Sequence, residues 1–334
     1  MSDRRPPLRA AEVARRLQPA LAEVERVIVG QRRVLERIVT CLVAGGHVLL
    51  EGVPGVGKTL TIATLSKVLG GSFQRIQFTA DLLPADIVGT RIYRGSSETF
   101  TFEPGPVFAN FVLADEINRA PAKVQSALLE VMGERQVTVA GQTMAVPRPF
   151  LVLATQNPIE NEGVFPLPEA QRDRFMMRVE VPLPAADEET EIVRRSNAPA
   201  PGVRQLLELD ELEGVTASLP QVRLPEEVHD YALRLVMTTR DPAGYGVSEL
   251  APIIAAGASP RASIALDRGS RALALVRGRD EVTAQEVYDI AYDVLNHRVG
   301  VTFDALAAGV RPNDAVAQLL RSVPAPAPAG VGRG

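Results

Sequence analysis

The segment Gly52-Val53-Pro54-Gly55-Val56-Gly57-Lys58-Thr59 satisfies the pattern G-x-x-x-x-G-K-[ST] at every position. The apolar run Val48-Leu49-Leu50 precedes it, and helical spacing at Leu60, Ile62, Leu65 and Val68 follows until Gly70-Gly71. A short buried strand, a glycine-rich turn and a helix are what a polyphosphate cradle requires. The glycines let successive backbone N–H groups turn inward, and the helix start adds the positive end of its dipole. In this setting Lys58 supplies a point charge for β- and γ-phosphates, and Thr59 places a hydroxyl on Mg2+. The candidate nucleotide-binding residues are therefore Gly52, Val53, Pro54, Gly55, Val56, Gly57, Lys58, Thr59 and Leu60. Of 36 basic residues only Lys58, Lys67 and Lys123 are lysines, so a lysine at this position stands out.

A second feature lies 57 positions on, where Asp115-Glu116 closes the apolar run 111–114. A carboxylate pair at the carboxyl end of a buried parallel strand faces the crevice in which such sheets bind ligands. Asp115 is assigned to the Mg2+ shell and Glu116 to polarising the attacking water. Short apolar runs at 48–50, 75–78, 111–114, 150–154 and 178–181 alternate with helical spacing. That order predicts an α/β fold with a five-stranded parallel sheet covered on both faces. Two hairpins interrupt it, one over 91–102 turning at Gly95-Ser96 and one over 136–146 around Ala140-Gly141. The aromatic residues of the first, Tyr93, Phe100 and Phe102, are expected to pack on the domain. After Pro184 the pattern is helical only, with a capping box at Thr283-Ala284-Gln285-Glu286. The expected organisation is a helical extension over 1–25, an α/β core over 26–185, an all-α domain over 186–321 and a Pro/Gly-rich flexible tail over 322–334.

Composition narrows the function. With 36 basic and 40 acidic residues the formal net charge is −4, which argues against coating nucleic acid or an anionic membrane by bulk charge. One cysteine, Cys41, excludes an intramolecular disulfide framework, and three histidines leave little for a Cys/His metal site. His47 and His229 read as structural, and Cys41 as a buried small hydrophobe. The amino terminus is charged without an apolar centre, and no apolar stretch has the length of a membrane span, so the expected location is cytoplasmic.

Longer stretches carry a resemblance. Gln77-Phe78-Thr79-Ala80-Asp81-Leu82-Leu83-Pro84-Ala85-Asp86, Ala114-Asp115-Glu116-Ile117-Asn118-Arg119-Ala120-Pro121 and Ala154-Thr155-Gln156-Asn157-Pro158 are three of them. Leu167-Pro168-Glu169-Ala170-Gln171, Asp173-Arg174-Phe175 and Gly257-Ala258-Ser259-Pro260-Arg261 complete the set. Together with the phosphate loop, over about residues 27–266, they resemble the AAA+ ATPases and within them the MoxR family. The resemblance implies an AAA+ P-loop core with inserted hairpins and a C-terminal all-α lid. It also implies ATP and Mg2+ as cofactors. Asn157 is similar to the sensor-1 residue, a neutral donor that orients the water and reads the γ-phosphate. Arg174 is similar to the arginine finger, acting on a neighbouring subunit's nucleotide, so the implied assembly is a homo-oligomeric, hexameric ring. Arg172 departs from the pattern, standing where an apolar residue is more usual and two positions from Arg174. Arg261 resembles sensor 2, which carries the presence of the γ-phosphate to the lid. Ile28, Val29 and Gly30, with Gln31, resemble the segment that packs on adenine, although an ordinary core contact reads equally well. The hairpins match insertions of this branch and could grip a client at the pore or upper surface.

The function so implied is Mg2+-dependent ATP hydrolysis that remodels or matures client proteins, with metal or cofactor insertion and a von Willebrand factor A domain protein as partner. Two alternatives come from other classes: a nucleic-acid motor, and a nucleotide-gated scaffold with little turnover. The second hairpin, 136–146, contains no lysine or arginine, which weighs against a DNA-tracking role.

Overall fold

The computed structural model describes residues 7–95, 98–157, 163–199 and 201–326. Ser96 of the first expected turn, Pro158 and most of the expected tail lie outside the described residues. Along the chain the strands are β1 (Val48–Glu51), β2 (Phe73–Gln77), β3 (Gly89–Arg94), β4 (Thr99–Pro104), β5 (Phe111–Asp115), β6 (Gln136–Val139), β7 (Gln142–Ala145), β8 (Leu151–Gln156) and β9 (Met177–Glu180). Five of them form one parallel sheet in the order β2-β5-β8-β1-β9. Glu51 pairs with Gln156 and Glu180, and Gln77 with Asp115, so the carboxyl ends of all five strands line one edge.

The helices before β9 are α1 (Ala10–Glu25), α2 (Arg32–Ala44), α3 (Lys58–Val68), α4 (Pro84–Val88), α5 (Ala122–Glu134) and α6 (Glu169–Arg172). Alternate residues of β5 serve opposite faces. Phe111 and Leu113 join a cluster with α1, α2 and later helices, while Val112 and Ala114 join one with α4 and α5. Both faces are thus covered, which is why the strand is a continuous apolar run rather than an alternating one. In α1, Val13, Leu17, Ala20, Leu21 and Val24 recur at helical spacing and are buried in the first cluster.

The remaining helices are α7 (Ala186–Ser196), α8 (Leu209–Ala217), α9 (Glu226–Arg240), α10 (Pro260–Val276), α11 (Ala284–Leu295), α12 (Phe303–Ala307) and α13 (Pro312–Ser322). Thr283 caps α11 and Ser259 caps α10, each side chain accepting a backbone N–H from two residues ahead. This part is not purely helical as expected. β10 (Ile254–Ala256) and β11 (Gly300–Val301) form an antiparallel ribbon, too short for a period of two to register in the sequence. The lid docks on β9: Arg178 donates to Asn313 at 2.5 Å, Asn313 to Glu180 at 2.6 Å, and Asn296 to the Arg178 carbonyl at 3.1 Å.

β3 pairs with β4 and β6 with β7 as antiparallel hairpins. Ala140 and Gly141 both have positive φ, 48° and 80°, the geometry of a two-residue turn matched to strand twist. The expectation for the first hairpin's aromatics holds only for Phe102, whose ring packs edge-on against Phe108 at 5.7 Å. Tyr93 and Phe100 are 54% and 58% exposed. They sit opposite each other in the ladder and pack on one another at 5.2 Å, because the ribbon projects from the domain. Cys41 is buried as expected and His47 is buried too, and among the described residues no helix is long and apolar enough to cross a membrane.

Candidate nucleotide site

The phosphate loop leaves the carboxyl end of β1, where the sheet's edge is flanked by β8 and β9. Gly52 N–H donates to the Gln156 carbonyl at 3.3 Å, and a Cβ on Gly52 would lie 2.7 Å from the Val181 carbonyl oxygen. Only glycine permits that approach. Gly55 and Gly57 take φ of 88° and 80°, and the space where their Cβ atoms would stand is open. That conformation turns the backbone N–H groups toward an anion. Lys58 opens α3 and donates to the Gly52 carbonyl at 2.6 Å. Burial lowers its pKa, opposed by the charges of Asp115, Glu116 and Glu51, so carboxylates face the ammonium across the crevice. Thr59 and Val53 are half-buried, Val56 is buried, and Pro54 and Leu60 are exposed beside the loop.

Asp115 ends β5 and is held on both oxygens. Its Oδ1 accepts from the Thr155 hydroxyl at 2.6 Å, and its Oδ2 accepts from Arg75 Nη2 at 2.7 Å and Nε at 3.1 Å. Glu116 follows in left-handed backbone, φ 56° and ψ 49°, which turns it off the strand axis. Its N–H donates to Thr155 Oγ1 at 2.8 Å, and its Oε2 accepts from Gln77 at 2.8 Å and pairs with Arg119 at 2.8 Å. Thr155, Arg75 and Gln77 were not singled out from sequence. Gln77 and Thr155 lie in the motif stretches quoted above, whereas Arg75 carries no signal beyond sharing a strand face with Gln77.

Asn157 is buried immediately after β8, next to the residue whose carbonyl anchors Gly52. Ile28 is buried in the core, Val29 is half-buried and Gly30 is exposed. Gln31, the last residue of this segment, ties it to the loop: its Nε2 donates to the Val56 carbonyl at 2.5 Å and its Oε1 accepts from Thr61 at 3.3 Å.

The remaining two cations lie elsewhere. Arg174 precedes β9, at the amino end of the sheet, and donates to the Leu129 carbonyl at 2.8 Å. Arg261 is beside it, 3.7 Å from Asp173 Oδ2. Arg172 pairs loosely with Glu169 at 4.0 Å. Since β1 and β9 run parallel with Val48 opposite Met177, the whole strand length, roughly 13 Å for four residues, separates these cations from the chain's own loop. The fold does not bring Arg174 or Arg261 to Lys58.

The donor set suits Mg2+. Asp115 and Thr59 offer hard oxygen ligands, and Mg2+ needs few of them because it keeps waters and substrate phosphate oxygens. Among the described residues no group of three or more His, Cys, Asp or Glu is assembled that would make an all-protein cage. The guanidinium on Asp115 shows that this carboxylate already accepts a cation.

Comparison with known proteins agrees with this geometry. Residues 47–177 match the ATPase family associated with various cellular activities (AAA), and residues 248–319 match the AAA lid domain. A crystal structure from Cytophaga hutchinsonii, provisionally described as an ATPase, superposes with a TM-score of 0.89 at 43% identity, covering 95% of this chain and 97% of that one. Parallel sheet, phosphate loop and helical lid together define an AAA+ ATPase fold. The chain is 52% identical over 321 residues to Chaperone MoxR1 of Mycobacterium tuberculosis, covering 95% of this chain and 84% of that protein. It is 30% identical over 323 residues to Protein MoxR of Methylorubrum extorquens, covering 91% and 93%. The chain belongs to the MoxR family of AAA+ ATPases.

Proposed function

We propose that this protein hydrolyses ATP at interfaces between copies of itself and uses the resulting lid motion to remodel client proteins. The observation that carries the reading is the division of the machinery between two ends of one sheet. Loop, lysine and carboxylates lie at the carboxyl end, while Arg174 and Arg261 lie at the amino end. A site assembled head-to-tail from two copies uses both.

The loop amides from Gly52 to Thr59 bind the phosphates, and Lys58 shields the β- and γ-phosphate charge. Glu116 accepts a hydrogen bond from the attacking water and aligns it in line with the leaving oxygen. Asn157 donates from the next strand to the same water or to the γ-phosphate. Ile28, Val29 and Gly30 border the base. Thr59 and Asp115 would hold Mg2+, which supplies charge neutralisation on the phosphate oxygens when bound. Arg174 and Arg261 of the adjoining copy neutralise charge developing in the transition state. That arrangement supports a closed ring, hexameric in our reading. The family relationship supports a chaperone role in the cytoplasm, with metal or cofactor insertion into clients and a von Willebrand factor A domain protein as partner.

Paired variants test the reading. Glu116→Gln retains ATP binding and loses turnover. Arg174→Ala retains ATP binding and loses turnover by about 10³-fold or more. Turnover surviving in Arg174→Ala would mean that each chain works alone.

A further inference from the structure

Asp115 Oδ2 accepts two N–H groups from one side chain, Arg75 Nη2 at 2.7 Å and Nε at 3.1 Å, and Oδ1 accepts the Thr155 hydroxyl at 2.6 Å. A carboxylate oxygen has two lone-pair sites. With both on Oδ2 engaged, that oxygen has none for a metal ion or for a water in a metal's shell. Asp115 itself is 13% exposed and Arg75 is 48% exposed, so the guanidinium can swing out while the carboxylate cannot follow.

We infer that Arg75 is a built-in competitor for the divalent cation: it occupies Asp115 when no metal is present and is expelled when metal-nucleotide loads. The inference rests on the nucleotide-binding reading above and adds a control element to it. Arg75 Nη2 also donates to Gln77 Oε1 at 2.7 Å, and Gln77 Nε2 donates to Glu116 at 2.8 Å. Expelling the guanidinium therefore frees the amide that restrains Glu116. The same strand continues into Phe78, whose N–H donates to the Asp115 carbonyl at 2.9 Å, and then into α4 and the β3–β4 hairpin. Arg75 is a positioning residue here, since it touches Asp115 and Gln77 and not the reacting atoms.

The test is the metal affinity of the nucleotide complex, read without hydrolysis. Full-length protein saturated with ADP is titrated with Mn2+, and free Mn2+ is followed by electron paramagnetic resonance. Arg75→Met is expected to bind Mn2+ about tenfold more tightly than wild type, the gain from removing one charged competitor. Arg75→Lys, which keeps charge but not the fork, falls between them. ADP affinity in EDTA changes less than twofold in either variant. Unchanged or weaker Mn2+ binding in Arg75→Met overturns the inference, and so does a larger loss of ADP affinity in EDTA, which would make Arg75 a nucleotide ligand. A wild-type chain that binds no ADP with or without Mn2+ refutes instead the nucleotide-binding reading beneath it.

Discussion

Arg298, just past α11 in the lid, donates from Nε to Asp173 Oδ1 at 2.8 Å, joining lid and sheet through a guanidinium only 2% exposed. The same group donates to the carbonyls of Asp173, Phe175 and Met176 at 3.1, 2.6 and 3.0 Å. Ser259 at the start of α10 donates to Asp173 Oδ2 at 2.8 Å. The segment that carries Arg174 is thus positioned by the lid, so lid orientation and the placement of Arg174 are mechanically linked.

Removing the guanidinium takes a donor from the carbonyls of Asp173, Phe175, Met176 and Val294 and from a half-buried carboxylate. Arg298→Met is expected to destabilise the fold by about 3 kcal/mol, at the low end for a broken buried pair because Ser259 and Arg261 still reach Asp173. Urea unfolding measures it. Adding Asp173→Asn should return about 1 kcal/mol, since the charge left behind is then gone. A fully additive double variant would show that the two groups do not interact.

Thr155 bridges the Glu116 backbone and the Asp115 carboxylate, accepting from the Glu116 N–H and donating to Asp115 Oδ1. Valine has the same shape without the hydroxyl. Thr155→Val is expected to cost about 1 kcal/mol through the half-buried Glu116 N–H left without this acceptor. ATP turnover should fall about 10–100-fold, as when the support of a metal ligand is lost. Thr155→Ser keeps the hydroxyl and should keep most of the activity. Steady-state phosphate release across the two variants separates shape from hydrogen bonding.

That residue also marks how far sequence reading reaches. The phosphate loop and Asp115-Glu116 are contiguous, and each states its chemistry through spacing and the strand before it. Arg75, Gln77 and Thr155 become part of the site only because β2, β5 and β8 are neighbours in the sheet. Local spacing does not encode strand order, so the partners of these side chains stay hidden. Asp173 lay inside a quoted motif, yet its partners Ser259 and Arg298 are 86 and 125 positions away in the lid. The placement of Arg174 and Arg261 at the amino end likewise follows from the parallel pairing of β1 and β9, not from their own surroundings. Tyr93 and Phe100 misled for a simpler reason: apolar alternation marks a strand but not whether the strand leaves the domain.

A pH effect follows from His47. Its Nδ1 accepts from the Val152 N–H at 3.0 Å, so the ring is neutral with its proton on Nε2, which reaches the Met132 carbonyl at 3.2 Å. Burial lowers its pKa from 6.5 to about 4. Between those values the unfolded chain binds more protons than the folded one, so stability falls as pH falls. The contribution is complete above pH 6.5 and gone near pH 4. From pH 7 to pH 5 the loss attributable to His47 is about 2 kcal/mol. His297, also buried and held low by burial, adds in the same direction. Urea midpoints at the two pH values should show the decline, and it should shrink in His47→Gln.

Glu116 sits in left-handed backbone at φ 56° and ψ 49°, a conformation that costs a residue with a Cβ about 1 kcal/mol. The strand end gains from that strain a carboxylate turned toward the crevice and an N–H aimed at Thr155. If the conformation is imposed by the fold, the usual order of small residues reverses at this position. Glu116→Gly should be more stable than Glu116→Ala by about 1 kcal/mol, whereas in a helix interior glycine is the poorer by a similar amount. Both variants lack the carboxylate and should lose turnover equally. Equal stability of the two in thermal and urea unfolding would mean that the backbone relaxes once the side chain is removed. The strain would then belong to Glu116's bonds with Gln77 and Arg119 rather than to the β5 end.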